Sequence, residues 1–408
     1  MSKENKDKVT WSDAKIAAFQ DHLLTWYHAE KRVLPWRENT DPYRVWVSEI
    51  MLQQTQVVTV IPYFERFMDW FPTITDLANA EEDRLLKAWE GLGYYSRVRN
   101  MQKAAQMIVA EHGGQMPTDI TSILALKGIG PYTGGAIASI AFNQPEPAID
   151  GNVMRVYSRL FCIEDDIAQV KSRRVFDDVV RQTISQNEPG DFNQALMDLG
   201  SDICNPTKPK CETCPIKAFC EARQRGIETT LPVKTKKAKA VPSYHVGLAL
   251  KNSEGAYLFV QRPADGLLAN FWTFPMLEVP KETYQVIEKS RQSYEKEQAV
   301  VSFPSQENLF DALAAEEMSD LETLTPLNQL LITHYPQAIW QTQPVGAITH
   351  LFSHRKWHIL VAYGVLSKER VLQEFPNGIW VTPEDFKNYA FPKPQDKMWE
   401  IIVKKGYY

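Results

Sequence analysis

The chain has little cysteine, five residues in 408, which is too few for a disulfide-stapled scaffold. It has no apolar run near the ~18 residues that a membrane-spanning helix needs. Met1–Lys8 lacks the apolar core of a secretory signal. These absences predict a cytoplasmic protein with no membrane partner. An excess of positive charge is missing too: 45 Lys+Arg against 50 Asp+Glu leave a net charge of −5. Spread evenly, that charge would argue against nucleic acid as a partner. It is not even, because residues 276–322 hold eleven acids and four bases, a local balance of −7 that leaves the remainder at +2. What is present is ordinary globular material, 44% hydrophobic and 23% charged. The length exceeds one ordinary domain and predicts two.

The first part, residues 1–226, reads as helical. Val153, Val156, Tyr157 and Leu160 follow the i, i+3, i+4, i+7 spacing of an amphipathic helix. Asp41-Pro42 reads as an N-cap followed by proline in the first turn, opening one helix over Tyr43–Val60. Residues 227–241 read as a linker, basic through Lys234, Lys236, Lys237 and Lys239. Such a run is either a DNA contact or a solvated charge cluster. From 242 to 408 period two takes over: Tyr244, Val246, Leu248 and Leu250 alternate, and Ala256–Gln261 and Trp357–Leu366 also read as strands. The acidic block between these strands is expected to be a helical or mobile insertion. The fold class is therefore an all-helical domain joined to an α+β domain.

Four of the cysteines, Cys204, Cys211, Cys214 and Cys220, form a C-x6-C-x2-C-x5-C array. Four clustered thiolates in a reducing compartment indicate zinc or a [4Fe–4S] cluster, and the single short C-x2-C arm suits the cluster better. Cys162 stands alone and reads as a small buried apolar residue. The array resembles the loop, here 204–220, of the endonuclease III/MutY group of DNA glycosylases.

Upstream, Leu126-Lys127-Gly128-Ile129-Gly130-Pro131-Tyr132-Thr133 places two glycines about one aliphatic residue, with Pro131 opening the small-residue helix Gly134–Ala141. Free amides at Gly128, Gly130 and the helix start can hold a phosphate without reading sequence. Beside the cysteine loop, residues 120–141 resemble the helix–hairpin–helix of that superfamily. Asp150, in Ala148-Ile149-Asp150-Gly151-Asn152-Val153, reads in isolation as a helix cap. Glu49 stands in the apolar stripe of Val45, Trp46 and Leu52. It is either an edge glutamate or, if buried, an acid with a raised pKa able to donate a proton.

Three longer stretches narrow the resemblance: Leu34-Pro35-Trp36-Arg37, Trp46 through Gln56, and Gly91-Leu92-Gly93-Tyr94-Tyr95-Ser96-Arg97 closely resemble MutY-type adenine DNA glycosylases. The resemblance implies that Glu49 protonates an extruded adenine at N7. It implies that Asp150 stabilises the resulting sugar cation or a covalent adduct, with Tyr132 and Asn152 assisting. Trp36, Arg37, Leu52 and Gln194 match the adenine pocket, although some relatives carry glutamate at the position of Gln194. Gln54, Thr55, Leu92 and Tyr94 match residues beside the lesion. Strand-cutting superfamily members carry a lysine where Tyr132 stands, so a monofunctional enzyme is implied. Its partner would be duplex DNA with adenine opposite 8-oxoguanine or guanine, bound by a monomer in the bacterial nucleoid.

In the second part, Gln261-Arg262-Pro263 and Gly266 through Pro275 resemble the start of a Nudix fold. Leu277–Glu288 lacks the glutamate-rich metal helix of a working Nudix hydrolase. Leu351-Phe352-Ser353-His354-Arg355 resembles a family loop that checks 8-oxoguanine, which implies a recognition role for Phe352, Ser353 and His354. His350, His354 and His358 recur every four residues, but strand alternation there would keep them from converging on a metal. Weighed against the adenine glycosylase are an endonuclease III-like lyase, disfavoured by Tyr132, and a Nudix nucleotide hydrolase, disfavoured by the missing helix. A non-catalytic lesion binder is disfavoured by Glu49 and Asp150 occurring together.

Overall fold

A computed structural model describes residues 9–235, 239–300, 324–335, 338–366, 375 and 377–407. The chain forms two compact units, Met1–Lys237 and Ala238–Tyr408. Lys236 and Lys237 of the basic run lie outside the described residues, as do the acids Glu307, Asp311, Glu316, Glu317, Asp320 and Glu322.

The first unit is helical: α1 (Asp13–Glu30), α2 (Pro42–Leu52), α3 (Val57–Trp70), α4 (Ile74–Ala78), α5 (Glu82–Ala88), α6 (Ser96–His112), α7 (Ile120–Ala125), α8 (Pro131–Phe142), α9 (Gly151–Leu160), α10 (Arg173–Arg181), α11 (Pro189–Asp202) and α12 (Glu221–Arg225). Asp41 caps α2 by accepting from the Tyr43 and Arg44 amides, with Pro42 in the first turn. The apolar face of α9 is buried as its spacing predicts. Val153, Val156, Tyr157 and Leu160 pack with Phe19 and Leu23 of α1 and Phe192, Leu196 and Leu199 of α11. Each such side chain contributes roughly 1.5–3 kcal/mol on leaving water.

Two expectations fail here. The single helix over Tyr43–Val60 is broken between Leu52 and Val57, where Gln54 turns to φ 61°. Arg97, 44 residues from Gln53 along the chain, takes up the carbonyls of Ile50, Met51 and Gln53. A partner that remote ends the helix without leaving any trace in local periodicity. Cys162 is half-exposed rather than buried. A Schellman-type turn, with the Ile163 amide donating to the Ser158 carbonyl at 2.9 Å, puts Cys162 in the left-handed region at the end of α9.

Residues 231–235 are bonded onto this helical unit. The Ile167 amide donates to the Val233 carbonyl at 3.0 Å, and the Thr235 amide donates to Asp166 at 3.1 Å.

The second unit is a mixed sheet of β1 (Val241–Lys251), β2 (Tyr257–Gln261), β3 (Trp272–Thr273), β4 (Met276–Glu278), β5 (Ile339–Trp340), β6 (Gly346–Leu351), β7 (Arg355–Val365) and β8 (Gly378–Val381). Its order is β3-β2-β1-β7-β5, with β4 on β1, β6 on β7 and β8 on β2. The two longest strands, β1 and β7, run parallel in register from Val241↔Arg355 to Lys251↔Val365. Parallel neighbours must be covered on both faces. On one face α13 (Lys281–Val300) and α14 (Pro326–His334) pack Tyr284, Ile287, Leu327 and Leu331 onto Val246, Leu248 and Leu250. On the other, α15 (Lys393–Lys404) packs Met398 and Ile402 onto Ala249, Ile359 and Val361.

The acidic block is thus not wholly an insertion. Met276–Glu278 is paired into the sheet as β4, and α13 covers a sheet face. Along α13, Glu288 and Glu295 are both held by Arg291.

Candidate active site

Helices α2, α8, α9 and α11 and the 3-10 turn Pro35–Arg37 enclose a cavity of about 160 Å³. Its lining brings together Trp36, Arg37, Glu49, Leu52, Thr55, Tyr132, Asp150, Asn152 and Gln194, residues spread over most of the first unit.

Glu49, on the third turn of α2, is 5% exposed. Tyr132 is fixed at the second position of α8 by the hairpin, and its hydroxyl donates to Glu49 Oε2. Burial pushes the Glu49 carboxyl up to about 7; the Tyr132 hydrogen bond and Arg37 oppose the shift, and the Asp150 charge adds to it. Asp150 caps α9, accepting from the Asn152 and Val153 amides at 2.8 and 2.7 Å. The Asn152 side-chain amide adds a bond of 2.8 Å to Oδ2. Burial raises the Asp150 carboxyl, and those three donors and the Arg155 charge oppose the shift. Capping and orientation are here one interaction.

The loop that delivers Asp150 is held from behind. Buried Asn193 of α11 accepts from the Ala148 amide at 3.1 Å and donates to the Glu146 carbonyl and to Ser139 of α8, both at 2.9 Å. Gly135 lets α8 approach this loop, since a Cβ there would lie 2.0 Å from the Pro147 carbonyl oxygen.

Trp36 packs edge-on against Phe64 at 5.4 Å, and Arg44 anchors its turn through the Pro35 carbonyl at 2.6 Å. Sequence reasoning missed Asp198, a 2%-exposed carboxylate of α11 in the same cavity. Asp198 binds the Arg37 fork at 2.7 and 3.1 Å and also accepts from Arg32. Only an acid flanked by apolar helix positions marks it in the sequence. Arg155 was missed as well. It donates to Asn152 Oδ1 at 2.8 Å and to the Cys204 carbonyl at 2.7 Å, which fixes the direction of the Asn152 amide.

The remaining expected residues lie outside this cavity. Gly128 takes φ 80° in the hairpin, and Gly130 is the N-cap of α8, leaving first-turn amides without intrahelical partners. Gln54 is exposed after α2. Tyr94 is 43% exposed, whereas Leu92 is 7% exposed and packs inward. In the second unit, Ser353 and His354 are exposed in the β6–β7 turn, with Ser353 Oγ 3.2 Å from His354 Nδ1. Phe352 packs on His350 and Trp357 at 4.5 and 4.9 Å. His350 pairs with Trp357 and His358 with Thr349, so His350 and His358 point to opposite sheet faces.

Cys204, Cys211, Cys214 and Cys220 line a second cavity together with Arg159, Lys210, Lys217 and Arg223. Buried Arg159, on α9, donates to Cys204 Sγ at 3.2 Å and to the carbonyls of Asn205, Pro206 and Leu231 at 2.8, 3.0 and 3.0 Å. Burial pushes the Cys214 thiol up to about 12 and those of Cys211 and Cys220 upward, and neighbouring thiols add to each shift. Four crowded sulfurs under a cationic rim fit a thiolate-bound metal or cluster, which replaces the protons and carries the negative charge.

Comparison with known proteins identifies the two domains and the family. Residues 47–182 match the model of the HhH-GPD superfamily of base excision DNA repair proteins, and residues 246–400 match that of the NUDIX domain. Fold and site together define a helix–hairpin–helix DNA glycosylase of base excision repair with a Nudix-like α+β domain. The chain is 34% identical over 439 residues to the adenine DNA glycosylase of Mus musculus, covering 95% of this chain and 78% of that protein. It is also 34% identical over 390 residues to the adenine DNA glycosylase of Buchnera aphidicola subsp. Acyrthosiphon pisum, covering 95% and 98%. The chain belongs to the adenine DNA glycosylase family.

Proposed function

We propose that this protein excises adenine mispaired with 8-oxoguanine or guanine in duplex DNA, acting as a monomer and leaving the strand uncut. The observation that carries the reading is the pairing of unlike acids in one cavity: Glu49, buried and pushed up to about 7, and Asp150, whose carboxylate accepts from three N–H donors. Adenine leaves poorly as an anion, so an extruded base needs a proton before the glycosidic bond yields. Protonated Glu49 gives its proton to adenine N7. The C1′–N9 electron pair then departs with the neutral base, and the cationic sugar is stabilised by the Asp150 carboxylate. Water adds to C1′ and its proton passes to Asp150. Tyr132 holds the Glu49 carboxyl in place, and Asn152 does the same for Asp150. Trp36, Arg37, Leu52 and Gln194 enclose the base.

Monofunctional chemistry is supported by the cavity lining, which includes no lysine among the described residues; Lys127 is exposed on the far side of the hairpin. Gly128 and Gly130 offer amides to the DNA backbone, Gln54, Thr55 and Tyr94 face the lesion, and Phe352, Ser353 and His354 inspect its edge. Cys204, Cys211, Cys214 and Cys220 would hold a [4Fe–4S] cluster, which when bound orders loop 204–220.

The test is a labelled duplex with a single A:8-oxoguanine pair. Adenine release is expected, with scission only after alkali, and Glu49→Gln is expected to slow release about 100-fold or more. No release by the wild type, or undiminished release by Glu49→Gln, contradicts the reading.

A further inference from the structure

Two short segments of the first unit hold non-glycine residues in the left-handed region: Gln54 at φ 61°, after α2, and Tyr94 at φ 50°, before α6. Such a conformation is strained and persists only where its surroundings impose it. One side chain reaches both segments. Arg97, in the first turn of α6, donates through Nη1 to the carbonyls of Ile50, Met51 and Gln53 at 2.7, 3.3 and 2.6 Å. Through Nη2 it donates to those of Leu92 and Gly93 at 3.3 and 3.1 Å. Its guanidinium also lies 5.4 Å from the ring centroids of both Trp89 and Tyr94.

All five acceptors are neutral carbonyls, three of them at the C-terminal end of α2, where unpaired carbonyls carry partial negative charge. Among the described residues no salt bridge holds Arg97, and burial pulls its guanidinium down to about 10. A planar fork with donors on separate nitrogens can bridge two backbone segments, whereas an ammonium presents its donors from one point.

We propose that Arg97 is a positioning residue that locks residues 53–55 to residues 92–94, so that both segments enter the DNA stack as one unit. The proposal rests on the reading above, in which Gln54, Thr55 and Tyr94 face the lesion. Glu49, Tyr132 and Asp150 are held by other contacts, so loss of Arg97 impairs extrusion of the base and spares the proton chemistry.

The test uses the full chain and a duplex with 8-oxoguanine opposite 2′-fluoro-2′-deoxyadenosine, which resists cleavage, and 2-aminopurine as its neighbour. Wild type is expected to raise 2-aminopurine fluorescence on binding as the stack opens. Arg97→Met is expected to bind the duplex but lose most of that rise. Its release of adenine from the unmodified A:8-oxoguanine duplex should slow about 100-fold, the scale of a small misplacement, with the pH midpoint of the rate unmoved. A full rise in Arg97→Met, or a displaced pH midpoint, overturns the proposal. If Arg97→Met does not fold, Arg97→Lys must show the reduced rise, and a full rise overturns it equally. Wild type that releases no adenine overturns the functional reading instead, whereas wild type that releases adenine without any rise overturns this proposal alone.

Discussion

Glu49 is a residue whose ionisation and burial conflict. Its carboxyl has an ordinary value of 4.5 and is pushed up to about 7 in the folded protein. The folded state therefore favours the protonated form. That contribution is fully present below pH 4.5 and is lost as pH rises through about 7. Above that point the buried carboxylate costs on the order of 3 kcal/mol, which Glu49→Gln does not incur. Thermal unfolding should accordingly find Glu49→Gln more stable than wild type at pH 8, with the gap shrinking toward pH 5. A gap independent of pH would mean that Glu49 is not buried as a titrating acid. In the sequence, an acid in an apolar stripe left burial and edge exposure equally open. The decision comes from Tyr132, Arg37 and Asp150, which reach Glu49 only after the chain has folded. Asp198 was hidden for the same reason, because its partners Arg32 and Arg37 lie more than 160 residues away along the chain.

At the scale of elements, what local chemistry determines was legible: the Asp41 cap of α2, the Asp150 cap of α9, the Gly128 turn and the alternating face of β1. What remote contacts determine was not, as the break between α2 and α3 illustrates: Arg97 ends α2 from outside. The approach of α8 to the Asp150 loop is another such contact and is open to test. In Gly135→Ala the new methyl would collide with the Pro147 carbonyl, so helix or loop must move. Overpacking of this kind costs roughly 1–3 kcal/mol, and the displaced loop carries Asp150, the carboxylate that the proposed mechanism uses. A lowered melting temperature should therefore accompany a fall in single-turnover rate of at least about tenfold, since small misplacements of catalytic groups are amplified in rate. A lower melting temperature with an unchanged rate would show that Asp150 is positioned independently of Gly135.

For the whole molecule, the net charge of −5 misleads because the acids are unevenly distributed along the chain, eleven of the 50 lying in residues 276–322. In the proposed reaction the chemistry falls to the helical unit and inspection of the lesion to the β6–β7 turn of the other unit. Replacing both Ser353 and His354 by alanine should lower the preference for A:8-oxoguanine over A:G by about 1–3 kcal/mol, the scale of losing a good base-edge contact. The limiting rate of adenine release should stay near the wild-type value. Equal losses on both duplexes would remove the proposed division of labour.

The central claim is that a buried, protonated Glu49 releases the base. It is tested most directly by the single-turnover rate of adenine release from an A:8-oxoguanine duplex, measured from pH 5 to 9. The rate in wild type should fall as pH rises through about 7, and Glu49→Gln should show only a slow residual rate without that transition. A wild-type rate that stays flat across pH 7, or a Glu49→Gln profile that retains the transition, would contradict the account.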